Sequence, residues 1–250
     1  MVFNYRKASS AGGDWFSLLA HELRTPLTVI KGYADLLQNG DLGALNNKQR
    51  VGVQEIERAN ERAIRLVDAL LNLSRISQGT LAVEPRPTDL IALLTAVSAE
   101  FTQEARQRRV KLAYPHARPA GVSGSLDAEI ARFILRQLLR NALQYTAPGG
   151  GVEVSVEAKG GRLALVIKDS GWGMSPAELR QVGRTLWRSA EAKQRHPTGL
   201  GFGLYVVYRL VAYVGAAIKI VSRPGQGTTV RLIMPKGGMR PHRGTKTLNS

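Results

Sequence analysis

The 250-residue sequence contains no cysteine. Disulfides, thiolate metal sites and cysteine nucleophiles are excluded, and nothing supports a disulfide-stapled secreted fold. Histidine is scarce too. No two of His21, His116, His196 and His242 have the spacing of zinc ligands on one helix or loop, so a histidine-built zinc site is excluded as well. Aromatic residues make up only 6% of the chain, which leaves no aromatic and basic platform for stacked bases. No GxxxxGK[ST] run occurs, so P-loop chemistry is out. Residues 1–14 lack the apolar core of a signal peptide. The longest apolar run, residues 201–218, carries Arg209 at its middle. That arginine would cost roughly 2.5–3.5 kcal/mol at the centre of a bilayer, so the run reads as a buried helix leading into a strand of a soluble chain. Acidic residues are few: 19 Asp and Glu against 35 Lys and Arg, a net charge of +16. Such an excess favours polyanionic partners without choosing among nucleotide, nucleic acid, anionic lipid and acidic protein.

What is present is ordinary for a folded chain, 44% hydrophobic and 22% charged. From Asp14 to Gly79 the pattern is two helices. In the first, Phe16, Leu23, Ile30 and Leu37 recur every seven residues, with Ala20, Leu27 and Ala34 between them. In the second, Ile56, Ala59, Ala63, Leu66, Leu70 and Leu73 alternate spacings of three and four. Both are narrow coiled-coil seams, broken at Asn39-Gly40-Asp41-Leu42-Gly43. A lone antiparallel hairpin covers one side of each helix, and pairing into a dimeric four-helix bundle would cover the rest. Residues 80–88, with two prolines, read as a linker. Beyond them, helical patterns at 90–108, 127–146 and 203–214 are interleaved with strand pairs at 152–158 with 163–168 and at 217–221 with 228–234. Helices mixed with antiparallel strands predict an α+β sandwich over 89–235. Residues 1–13 are then an extension, and 236–250 a basic tail expected to be disordered.

Several residues carry chemistry. His21 lies beside the seam of the first helix and is presented by a rigid scaffold. Glu22 next to it can hold one imidazole nitrogen protonated and sharpen the other as a nucleophile. Pro26 allows a bend one turn further on. Asn141, in RFILRQLLRNALQYT, offers an amide on the face of an amphipathic helix, with Gln137 one turn before and Tyr145 one turn after. Asp169 ends a strand, and Gly171 and Gly173 follow it, allowing close backbone approach. Gly199, Gly201 and Gly203 lead into a helix whose unpaired N–H groups suit phosphate. Each feature alone has an ordinary structural explanation.

Together and in this order they resemble the boxes of sensor histidine kinases, the sensory half of two-component systems. HELRTPL resembles the phosphoacceptor box, RFILRQLLRNALQYT the N box, DSGWGM the G1 box, TGLGFGLYVV the G2 box and GQGTTVRLIMP the G3 hairpin; the resemblance runs from about Trp15 to Pro235. It implies an N-terminal dimerisation hairpin and a catalytic domain with the ATP-binding sandwich shared by gyrase-type and chaperone ATPases. It also implies ATP and Mg²⁺, a homodimer, a response-regulator receiver domain as partner, a sensor domain or subunit outside this chain, a cytoplasmic location and no nucleic-acid partner. By the same resemblance His21 takes the phosphoryl group, Glu22 assists proton transfer, and Thr25 positions water for dephosphorylating the regulator. Asn141 and Gln137 hold the metal. Tyr145, Asp169, Gly171, Gly173, Gly199, Leu200, Gly201, Gly203 and Thr228 surround ATP, and Arg188, in a basic lid over 175–198, contacts phosphate. Rotation about the linker would bring ATP to His21. Gln137 and Gln144 depart from the usual asparagine and basic residue, which keeps open a degenerate ATP-binding module without turnover.

Overall fold

The computed structural model describes residues 8–115, 122–159, 162–184, 187–189, 191, 194, 201–235 and 238–241, with side chains from Leu18 onward, His21 and Lys159 excepted. The chain divides into two compact units, residues 1–81 and 82–250.

The first unit is a hairpin of α1 (Ala8–Asn39) and α2 (Asn47–Gln78). Asn46 starts α2 with a capping box: its side chain accepts from the N–H of Gln49, whose side chain accepts in return from the Asn46 N–H. Gly79 ends the helix in the left-handed region at φ 67°, a conformation that glycine adopts without strain. The face that α1 turns to α2 is one of the two interleaved rows read from the sequence. Ala20 and Ala34 are buried, and Leu27 packs against a cluster of Ala20, Val67 and Leu71. In α2 the interior row is Val53, Asn60 and Val67, seven residues apart. Leu23, Ile30, Ile56 and Leu70 of the predicted seams remain exposed. Arg24 pairs with Asp68 across the two helices, and the Asn60 amide donates to the Leu27 carbonyl at 2.8 Å.

The second unit is a sandwich. Its elements are β1 (Arg86–Asp89), α3 (Leu90–Ala99), α4 (Thr102–Gln107), β2 (Lys111–Ala113), β3 (Ser123–Leu126), α5 (Ala128–Tyr145), β4 (Gly151–Lys159), β5 (Arg162–Asp169), α6 (Pro176–Leu179), α7 (Phe202–Tyr213), β6 (Ala217–Ser222) and β7 (Thr228–Ile233). Five strands form a mixed sheet in the order β2-β4-β5-β7-β6, parallel only between β2 and β4, and β1 pairs antiparallel with β3 as a separate ribbon. Helices α3, α5 and α7 pack against the sheet and each other. Leu90, Leu94, Val97, Ile134, Leu135, Leu139, Leu143, Leu165, Leu210 and Leu232 fill the core between. Asp89 and Asp127 cap α3 and α5, each accepting two backbone N–H bonds from the first turn, and Asp127 accepts a third from Glu84.

Four expectations need correction. Residues 8–13, read as part of an extension, belong to α1, because the helical pattern continues back to Ala8 without a breaker that ends it. The helix expected over 90–108 is two, α3 and α4, which break at Glu100 and Phe101. Residues 86–88, read as linker, belong to β1. The tail does not begin at 236, because Met239 is fully buried: its N–H donates to the Ser125 carbonyl at 2.9 Å, and the Arg240 N–H to the Val214 carbonyl at 3.2 Å. A single buried apolar side chain and three backbone bonds, the third from Gly238 N–H to the Pro235 carbonyl at 3.1 Å, hold residues 238–240 in place; 236–237 and 242–250 lie outside the described residues.

One core group is badly matched to its surroundings. Ser98 of α3 is fully buried, and its Oγ has no hydrogen-bond partner among the described residues. Ser98→Ala removes that desolvated oxygen and is expected to stabilise the second unit by about 1 kcal/mol, read as a raised midpoint in urea unfolding with an unchanged slope.

Candidate ATP-binding site and phosphoacceptor helix

The site in the second unit is built where β5 ends. Asp169 is the last residue of a strand at the middle of the sheet, so its side chain is buried by the helices above. Its Oδ1 accepts two backbone bonds, from Gly171 N–H at 2.9 Å and Thr228 N–H at 3.1 Å. The second oxygen, Oδ2, takes no bond from the described residues. Burial pushes the carboxyl up to about 6, against the two backbone bonds, which pull it down. A buried strand-end carboxylate with one oxygen anchored and the other uncommitted is an acceptor for one donor hydrogen of a ligand.

The loop after Asp169 is pinned to the β6–β7 hairpin. Gly225 N–H donates to the Trp172 carbonyl at 2.6 Å, and Met174 N–H to the Ser222 Oγ at 2.8 Å. Gly173 has φ 68°, and a Cβ there would fall 1.8 Å from the Arg223 carbonyl oxygen, so only glycine fits. Gly171 is equally constrained, with the Tyr145 carbonyl 2.4 Å from its Cβ position. Tyr145 also meets the ring of Trp172 edge to face at 5.9 Å. The structure therefore brings Tyr145, Asp169, Gly171, Gly173 and Thr228 into one corner.

A second group lines the helices. Gln137, Asn141 and Gln144 lie at i, i+4 and i+7 on α5, hence on one face. The Gln137 carboxamide oxygen lies against Gly203 in the first turn of α7, 3.1 Å from where a Cβ would stand. Asn141 is half-buried, and its amide has no partner among the described residues. Gly201 starts α7 at φ 73° with no side-chain cap, so the first N–H groups of that helix are not taken by a capping side chain. Arg188 is half-buried. Gly199 and Leu200 lie outside the described residues.

In the first unit, the backbone of His21 is part of α1, one turn before Pro26, and its side chain lies outside the described set. Glu22 and Thr25 are exposed on the same helix.

Reading the sequence missed Ser222. Its hydroxyl accepts from Met174 N–H, donates to the Gly227 carbonyl at 3.0 Å and meets the Thr228 hydroxyl at 2.8 Å, tying the loop after Asp169 to β6 and β7. The signal was weak: a serine at the end of an alternating strand, opposite Thr228 in register.

A mixed sheet under three helices, with a buried strand-end aspartate, a half-buried helix asparagine and an uncapped glycine-led helix, defines the class of ATP-binding sandwiches. Residues 126–238 match the family model described as histidine kinase-, DNA gyrase B-, and HSP90-like ATPase, and residues 13–79 match the His Kinase A (phospho-acceptor) domain. The chain belongs to the sensor histidine kinases of two-component systems. It is 31% identical over 230 residues to the circadian input-output histidine kinase CikA of Synechococcus elongatus, covering 92% of this chain and 30% of that protein. It is 28% identical over 226 residues to the sensor protein SrrB of Staphylococcus aureus, covering 89% of this chain and 38% of SrrB. The chain thus spans about a third of these relatives. Among solved structures, full-length ShkA in complex with AMPPNP matches with a TM-score of 0.69 and 26% identity, over 92% of this chain and 47% of that one. The histidine kinase AdeS of Acinetobacter baumannii, 21% identical, matches with a TM-score of 0.52 over 85% of this chain and 96% of that one, and shares the fold. Among the described residues no helix is long and apolar enough to cross a membrane.

Proposed function

We propose that this chain is the kinase core that transfers the γ-phosphoryl group of ATP to His21 and then to an aspartate of a response-regulator receiver domain. The observation that carries the reading is Asp169, buried, with Oδ1 anchored by two backbone N–H groups and Oδ2 uncommitted. That oxygen suits the exocyclic amino group of adenine and rejects the carbonyl that guanine has in its place. The N-terminus of α7, without a side-chain cap, would offer its N–H groups and positive dipole end to phosphate, with Arg188 of the lid adding charge. The sequence motif assigns Gly199 and Leu200 to the same phosphate site.

Among the described residues no three carboxylates or histidines cluster as a metal site. The amide oxygens of Asn141 and Gln137 are the groups fitted to hold Mg²⁺ against the phosphates. Bound there, Mg²⁺ supplies charge neutralisation at the triphosphate. The protein's own residues do the rest. The unprotonated imidazole nitrogen of His21 attacks the γ-phosphorus, an N–P bond forms, and the bond to the bridging oxygen breaks to release ADP. Glu22 takes up the proton from the imidazole. The phosphoramidate then gives its phosphoryl group to the regulator aspartate, and Thr25 orients water when the regulator is dephosphorylated. Residues 14–79 would serve as dimerisation and phosphoacceptor unit and 89–235 as catalytic domain, working in the cytoplasm as a homodimer under a sensor domain or subunit outside this chain.

Incubation with γ-labelled ATP and Mg²⁺ tests this. Acid-labile, base-stable label is expected on the wild type and none on His21→Gln or Asn141→Ala. ATP binding by the wild type without label would overturn the kinase reading.

A further inference from the structure

Asn60 is the one polar residue in the buried interior row of α2. It lies seven residues from both Val53 and Val67 and is 5% exposed. Its Nδ2 donates to the Leu27 carbonyl of α1 at 2.8 Å, while its Oδ1 is buried without a partner among the described residues. A valine in that slot would match its neighbours and leave no desolvated oxygen, so the amide is retained at a cost to stability. In helix pairs, a single polar side chain at an interior position exchanges stability for a fixed register.

The carbonyl that Asn60 grips is not an arbitrary one. Leu27 directly follows Pro26, which has no backbone N–H and interrupts the hydrogen-bond ladder of α1 one turn beyond His21. Helices bend at such a point. On the other side of the break, Arg24 pairs with Asp68 of α2, and both side chains are open to solvent, so that tie is weak and easily exchanged. The helix is therefore clamped by a buried amide after Pro26 and latched by an exposed ion pair before it.

We infer that Asn60 is a positioning residue for phosphoryl transfer: its amide fixes α1 at Leu27, so that bending at Pro26 swings only the turn that carries His21. The inference rests on His21 being the phosphoacceptor. Without the clamp, α1 slides and tilts as a whole, and the histidine spends less time where it can meet the γ-phosphorus. Nothing about ATP binding itself depends on this contact.

The test uses the full chain with Asn60→Val, which matches Val53 and Val67, and Asn60→Gln, which keeps an amide N–H. For Asn60→Val, a higher melting temperature is expected together with a five- to tenfold fall in the kcat of autophosphorylation and an unchanged KM for ATP. Asn60→Gln should recover at least half of the lost kcat. A kcat within twofold of wild type in Asn60→Val would overturn the role given to Asn60, and so would a KM that rises as kcat falls, or a lower melting temperature. Absence of label on the wild-type chain would instead overturn the reading of His21.

Discussion

Asp169→Asn is expected to abolish ATP binding and at the same time make the catalytic unit more stable above pH 7. The first effect follows from the two backbone hydrogen bonds that Oδ1 accepts, the second from the burial of the carboxylate. The N–H groups of Gly171 and Thr228 need an acceptor, so the asparagine carbonyl takes the place of Oδ1 and its NH₂ group takes the place of Oδ2. That group then faces the adenine amino group, donor against donor, and affinity should fall at least about a hundredfold. The stability effect has the opposite sign. Burial raises the folded-state pKa of Asp169 from the ordinary 3.8 to about 6. A carboxyl raised in this way contributes stability that is fully present below the unfolded-state value and is lost as pH rises through about 6. Above pH 7 the buried charge therefore costs about 3 kcal/mol relative to its protonated form. The amide never ionises. Calorimetric melting should show the variant several degrees above wild type at pH 8, with the gap closing toward pH 4. Equal melting temperatures at pH 8 would show that the carboxylate is solvated rather than buried. Wild-type ATP affinity should also weaken below pH 6, because a protonated Oδ2 offers a hydrogen where an acceptor is needed.

The second large effect concerns the hairpin. Leu23 and Ile30 on α1 are 49% and 43% exposed, and Ile56 and Leu70 on α2 are 52% and 43% exposed. These belong to the heptad rows, yet α1 and α2 do not bury them against each other. In the proposed homodimer a second copy would. Ile30→Glu with Leu70→Glu would place two carboxylates per chain in that apolar seam and is expected to weaken self-association roughly a thousandfold, since a charge transferred there has no partner. Light scattering at micromolar concentration should report half the wild-type mass, while ATP affinity in the separate catalytic unit stays as it was. An undiminished mass would mean that copies meet through some other surface.

The hairpin was legible because coiled-coil packing writes itself into sequence every seven residues. Which row faces inward was not. Ala20, Leu27 and Ala34 look less committed to burial than Phe16, Leu23, Ile30 and Leu37, yet small side chains are what let two helices approach closely within one chain. Asn60 is hard to read for a related reason: polarity at one interior position looks like surface until the partner helix is in place. In the catalytic unit, the strands with alternating apolar residues were readable and β1 and β3 were not. RPTD and SGSL carry no alternation, and their pairing depends on residues far apart in sequence. Asp169 was legible through the glycines after it. Its two backbone donors were not, because Thr228 comes from the last strand, 59 residues on.

The burial of Met239 has a practical meaning for anyone who trims this protein. The recognisable ATPase region stops at residue 238, and a stop codon placed there would discard a fully buried side chain and the backbone bonds that tie it and Arg240 to β3 and the end of α7. What remained would keep every nucleotide-facing residue and lose its closure, with an open apolar socket in its place. Such a fragment would be a poor ruler for the stability of the intact domain.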